Sequence, residues 1–159
     1  MGEVRTIAEL MQRAGRVEAG AAQPYVLEGR LTLETLLGYG GWAQAWTPPY
    51  QPEAQALKAL AAQRDAVDLW VFVATWCGDS RREVPRLLWT LSAAGWPVER
   101  LHLIGTDWDK RDAEGLAEAW RIERVPTLVV VRGEVELGRV VERAAGLLEV
   151  QLARIMAGG

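Results

Sequence analysis

Residues 69–80 read Leu-Trp-Val-Phe-Val-Ala-Thr-Trp-Cys-Gly-Asp-Ser, an apolar run that ends in a cysteine, a glycine and two polar side chains. An uninterrupted apolar stretch of this length, with no alternation, marks a strand buried on both faces. Arg82, Pro85, Leu88 and Leu91 follow at helical spacing up to Gly95 and predict a helix. Cys77 therefore stands where a buried strand hands over to a helix. In open α/β sheets, sites form outside the carboxyl ends of strands. The free N–H groups and dipole of a first helical turn favour a thiolate there. Arg81 and Arg82 work in the same direction, the Asp79 carboxylate works against it, and Ser80 is placed to donate a hydroxyl hydrogen bond to the sulfur. The plain alternative for a lone cysteine after an apolar strand is a small buried filler. Gly78 and the polar run behind it favour partial exposure instead.

Outward from this junction the chain alternates. Residues 100–104 read as a second strand and 112–120 as a second helix. Residues 127–131 and 135–141 flank Arg132-Gly133-Glu134, the signature of a hairpin, and 147–156 close with a helix. This order predicts a right-handed βαβ unit with parallel strands, then an antiparallel hairpin and a covering helix. Val125-Pro126-Thr127 precedes the hairpin, and a proline there belongs at a strand start or edge because it cannot donate to the ladder. With a cis Val125–Pro126 bond, the chain would turn sharply and present the Val125 backbone beside the end of the first strand. Towards the N-terminus, residues 5–14 have helical spacing that stops at Gly15, and 31–37 form a second helical candidate. Residues 38–50 combine three glycines and two adjacent prolines with Tyr39, Trp42, Trp46 and Tyr50, and read as an ordered aromatic loop. Pro52 opens a further helix, continued over 54–64 by strong helix formers.

Composition bounds the function. The chain has 159 residues, half of them apolar, with 18 basic against 21 acidic side chains, which predicts one soluble domain with a self-sufficient core. Cys77 is the only cysteine, so an internal disulfide and cysteine-based zinc sites are excluded. His102 is the only histidine, and its place in an apolar alternation reads as structural. No metal and no cofactor is implied. A net charge of −3 offers no footprint for nucleic acid or an anionic membrane. The first residues lack the apolar core of a secretory signal, and the longest apolar run falls far short of the roughly 20 residues that cross a bilayer. A cytoplasmic location is the expectation. Asp107, Trp108 and Asp109 read as a solvated loop or helix cap rather than a metal pair. Of the eight tryptophans, Trp70, Trp89, Trp96 and Trp120 are assigned to the core or its rim. The aromatic loop is expected to seal the N-terminal segment onto the sheet; the sharper alternative is that it reaches the groove at Cys77.

Taken together, Trp76-Cys77-Gly78, Pro85 eight residues after the cysteine, Val125-Pro126-Thr127 and Arg132-Gly133-Glu134-Val135 resemble the thioredoxin family. The resemblance covers roughly residues 55–159. It implies an α/β thioredoxin fold, a βαβ unit plus a ββα unit forming a mixed sheet flanked by helices. Residues 1–54 would be a helical N-terminal extension with the aromatic loop, as in bacterial thioredoxin-like proteins of this kind. It also implies Cys77 as the attacking thiol with Ser80 beside it, Trp76 as its shield, Pro85 as a kink in the first helix and Pro126 as a cis-proline facing the sulfur. Gly133 falls in the hairpin. Substrate would then meet Trp76, Gly78, Asp79, Val125 and Pro126.

The departures are specific. Ser80 stands where dithiol thioredoxins carry their resolving cysteine, Asp79 where they carry a proline, and Val71 where they bury an aspartate six residues before the attacking cysteine. A Cys77 thiolate can enter a mixed disulfide but has no internal thiol to release it. The expected function is monothiol thiol–disulfide exchange on mixed disulfides, with a protein or low-molecular-weight thiol or disulfide as partner. Two alternatives stand beside it: a binding module that keeps the groove of Trp76, Val125 and Pro126 without turnover, and a redox sensor acting through oxidation of Cys77.

Overall fold

A computed structural model of the chain describes residues 5–12 and 26–158. In order, the elements are α1 (Ile7–Met11), β1 (Gly29–Leu31), α2 (Leu33–Leu37), α3 (Ala54–Ala61), β2 (Val67–Val73), α4 (Gly78–Ala93), β3 (Leu101–Gly105), α5 (Leu116–Ala119), β4 (Thr127–Arg132), β5 (Val135–Val141) and α6 (Leu148–Met156). The five strands form one mixed sheet in the order β1-β3-β2-β4-β5. β2 runs parallel to β3 and antiparallel to β4, β4 and β5 are the predicted hairpin, and β1 pairs antiparallel to the outer edge of β3. This is a thioredoxin fold, as expected, with the βαβ and ββα units in their predicted order.

The burial of β2 follows from its sequence. Leu69, Val71 and Val73 face the larger core with Leu87, Leu88 and Leu91 of α4, while Phe72 and Ala74 face a smaller one with Ile104, Val129 and Ala117 of α5. The helices α1, α2, α3, α4 and α6 and the aromatic loop all contribute to the larger core. Val71, at the position of the missing acid, is fully buried between its β-partners Leu103 and Leu128.

Several boundaries differ from the sequence reading. The helix expected over 31–37 begins at Leu33, and Leu31 instead ends strand Gly29–Leu31, because three residues with no alternation carry no strand signal until β3 offers them an edge. The helix after Pro52 is capped by Glu53, whose carboxylate accepts the N–H groups of Ala56 and Gln55 and is thereby held below the usual carboxyl range. The helix predicted over 112–120 shrinks to one turn. Gly115 has φ 74°, and the Asp112 carboxylate reaches past it to accept the N–H groups of Leu116 and Ala117. The first helix ends at Met11, and residues 13–14 of its predicted span lie outside the described residues.

The N-terminal segment is part of the same packed body. Ile7 N–H donates to the Trp96 carbonyl at 2.9 Å and Val98 N–H to the Arg5 carbonyl at 2.8 Å. Before β1 the chain crosses the end of the sheet so closely that a Cβ at Gly105 would overlap the Leu27 carbonyl and crowd the Leu31 side chain. Leu27 N–H then donates to Thr75 Oγ1 at 3.2 Å, two residues before the cysteine.

This close crossing yields a prediction. Gly105→Ala should lower unfolding free energy in urea by about 2–3 kcal/mol, the cost of forced overpacking. Gly78→Ala, where an added Cβ meets nothing within 4 Å, should stay within about 0.5 kcal/mol of the parent or gain slightly from helix propensity.

Candidate functional site

The site is built where β2 ends. Ala74, Thr75 and Trp76 carry the chain off the sheet, and Cys77 becomes the N-cap of α4 with extended backbone. Its free side chain is half-buried. The thiol lies 3.6 Å from the Val125 carbonyl oxygen, to which it donates. The Val125–Pro126 peptide is cis, as is Thr47–Pro48. Thus residues 48 positions apart, Cys77 and Val125, meet because β4 pairs antiparallel to β2 and starts beside its end.

The other predicted site residues divide by position. Ser80 is fully buried and its hydroxyl accepts the Ala74 N–H at 3.1 Å. It therefore braces the strand-to-helix turn, and the expected hydrogen bond to the sulfur is not formed among the described residues. Gly78 is exposed on the first turn, and the Asp79 carboxylate is held by Arg82 at 2.7 Å. Trp76 is half-buried beside the thiol, its indole N–H donating to the Thr106 carbonyl at 3.2 Å.

One neighbour of the site was missed in the sequence. Trp108, read as part of a solvated loop, is 60% exposed and stacks on Trp76 with ring centroids 5.0 Å apart. The turn that carries it is closed by Asp107, whose carboxylate accepts the N–H groups of Asp109 and Arg111. The two indoles thus form one apolar surface beginning at the residue before Cys77. A sequence signal existed, since a tryptophan between two aspartates in a loop at the carboxyl end of the second strand is an unusual exposure to tolerate. The aromatic loop lies on the α4 side. Trp42 and Trp46 are buried in the core as expected, yet Ala45 and Pro48 also line a cavity of about 390 Å³ with Gly78, Arg81, Arg82 and Arg86. The loop's tryptophan side chains seal it onto the core, and its 44–48 turn lies along α4.

Hydrogen bonds hold this loop in register. Trp42 Nε1–H donates to the Thr75 carbonyl at 3.0 Å, and Trp89 Nε1–H to the Trp46 carbonyl at 2.9 Å. The loop's far end is tied to α6. Tyr50 donates to Glu149 Oε1 at 2.8 Å, and Glu53 N–H donates to Glu149 Oε2 at 2.6 Å. Burial, then the hydrogen bond to Glu149, pushes the Tyr50 phenol from 10.0 up to about 12. His102 lies apart, on β3, bonded to Asp68 at 2.7 Å and stacked on Trp70 at 4.3 Å, a structural placement far along the sheet from the thiol. Among the described residues there is no group of three or more histidine, cysteine, aspartate or glutamate side chains able to hold a metal, and no helix long and apolar enough to cross a membrane.

The chain is similar to known thioredoxins. A thioredoxin of Echinococcus granulosus is 32% identical over 101 residues, which span 63% of this chain and 88% of that protein. Among solved structures, oxidised thioredoxin O2 of Arabidopsis thaliana is 27% identical, with 67% of this chain and 87% of that one covered and a TM-score of 0.40. A Pseudomonas aeruginosa protein of unknown function is 20% identical, with 75% and 74% covered and a TM-score of 0.48. The Drosophila thioredoxin Deadhead is 23% identical, with 70% and 97% covered and a TM-score of 0.38. No family model matches the chain.

The Tyr50 anchor is testable by ultraviolet titration of the folded protein. One tyrosine should ionise at about 12, and Glu149→Gln should bring it back towards 10. A raised phenol stabilises the fold fully below pH 10, and that contribution fades as pH rises through the folded value. The parent should therefore lose more stability between about pH 10 and 12 than Glu149→Gln does.

Proposed function

This chain belongs to the thioredoxin family, and we propose that within it Cys77 carries out monothiol thiol–disulfide exchange. The observation that carries the reading is the placement of the one cysteine of the chain, half-buried at the cap of α4 with its sulfur 3.6 Å from the Val125 carbonyl. Chemically, the Cys77 thiolate attacks one sulfur of R–S–S–R′. The Cys77–S–S–R bond forms as the S–S bond breaks, and R′–S⁻ leaves and takes up a proton. An external thiolate R″–S⁻ then attacks the R sulfur, forming R–S–S–R″ and returning Cys77 as thiolate. No electrons are gained or lost overall, because one disulfide is exchanged for another.

The residues around the sulfur support each step. The N–H groups of the first turn of α4 and its dipole stabilise negative charge on the attacking sulfur. Trp76, with Trp108 stacked on it, supplies an apolar wall, while Gly78 and Asp79 line the first turn and Val125 and Pro126 the facing side. Ser80 contributes by holding the Ala74 amide and hence the shape of the turn. With serine there and Val71 at the position of the family's buried acid, release of the mixed disulfide falls to an external thiol, protein or low-molecular-weight. That requirement favours a reducing compartment such as the cytoplasm. In this reading residues 55–159 are the exchanging domain, and residues 1–54 are an extension that walls the α4 side of the site.

Reduced protein exposed to a peptide disulfide with no added thiol should gain one adduct on Cys77 in its intact mass, and added thiol should release it. Cys77→Ser should form none. Ser80→Cys should shorten the adduct lifetime by on the order of tenfold or more, since an internal thiol competes at high effective concentration. A folded parent that takes up no adduct overturns the exchange reading and leaves the groove as a binding module.

A further inference from the structure

The cavity between α4 and the 44–48 turn has no part in the exchange chemistry itself, yet it opens at Gly78, the residue after the thiol. From there it follows α4 to Trp89, about 16 Å of helix at ~1.5 Å per residue. Its lining carries three guanidinium groups, Arg81, Arg82 and Arg86, and no carboxylate. Its volume of about 390 Å³ suits a small molecule, and Gln44, Ala45 and Pro48 line it opposite α4.

Two of the three guanidinium groups are pre-positioned from behind. Arg82 bonds Asp79 at 2.7 Å and Glu83 at 3.2 Å, and Arg86 lies 3.5 Å from Glu83 and 5.9 Å above the Tyr50 ring. Glu83 is itself buried, so these arginines are held along the helix rather than free to sweep solvent. Arg81 makes no ion pair among the described residues. Each guanidinium has five N–H donors, and the bonds to Asp79 and Glu83 use only part of them. The remaining donors and the uncommitted Arg81 charge suit a planar carboxylate, which arginine receives through paired hydrogen bonds.

We infer that this arginine-lined cavity is a recognition site for small disulfides whose thiol component bears carboxylates, placing the anionic end along α4 and the sulfur at Cys77. The inference rests on the exchange reading above and names its substrate class.

Three small symmetric disulfides of similar size decide it: 3,3′-dithiodipropionate (anionic), bis(2-hydroxyethyl) disulfide (neutral) and cystamine (cationic), with adduct formation at Cys77 followed by intact mass. The anionic reagent should outpace the neutral one by about fivefold at low ionic strength, with the cationic slowest. Salt should compress the series, because exposed charges are screened beyond a Debye length of ~8 Å at physiological ionic strength. Arg81→Ser with Arg86→Ser should bring the anionic-to-neutral ratio to about 1. A second measurement needs no exchange: adipate titrated into Cys77→Ser protein should shift the Gly78 amide and Trp89 indole resonances saturably. Equal rates for all three reagents together with no adipate shift would overturn the inference and leave the exchange reading standing. If no reagent reacts, the exchange reading fails and the substrate assignment fails with it, whatever adipate does. A preference seen only when the disulfide is carried by a longer acidic peptide would also overturn the small-molecule assignment.

Discussion

Strand β2 has neither a free edge nor a free face. Its backbone is paired to β3 on one side and β4 on the other, and its side chains enter a core on each face. Unpaired backbone groups in such a place would be costly, so both neighbours are obligatory. The position of the cysteine follows from this. The chain leaves β2 where its pairing ends, and the turn into α4 is braced by Ser80 on the Ala74 amide. Antiparallel pairing of β4 brings Val125 to the same end of the sheet. The thiol and the carbonyl it faces thus meet as a consequence of sheet register.

The same constraint explains the role of the N-terminal residues. β3 would be an exposed edge without β1, and exposed edges invite pairing with other chains. Covering that edge brings the 26–28 segment across Gly105 and against Thr75, and the aromatic loop onto α4. Trp42 and Leu27 both hydrogen-bond Thr75, one at its carbonyl and one at its hydroxyl. The extension is therefore bonded directly to the strand end that presents the cysteine. Its 44–48 turn lies against α4, and Trp108 stacks on Trp76.

The inward turn of Ser80 has a structural cause. In this chain the serine side chain is turned inward to satisfy a buried amide, a task that a thiol, as a weaker acceptor, performs less well. Val71, fully buried between Leu103 and Leu128, likewise meets the demand for an apolar side chain inside the sheet.

Much of this was legible in the sequence, and the reason is local. A continuous apolar run, a cysteine at its end and a proline ahead of a hairpin each report on their own surroundings, and their order along the chain limits the topology to very few arrangements. Cys77, Val125 and the central strands were placed by those signals. What only the tertiary structure decided depended on partners remote in sequence. Gly29–Leu31 is a strand because β3 lacks a neighbour, Ser80 faces Ala74 because the turn needs an acceptor, Trp108 stacks on Trp76 across the sheet end, and three arginines line a cavity only because the 44–48 turn lies opposite them. Local pattern records what a residue prefers; which groups face it across the fold is settled by how burial and backbone pairing are satisfied over the whole chain at once.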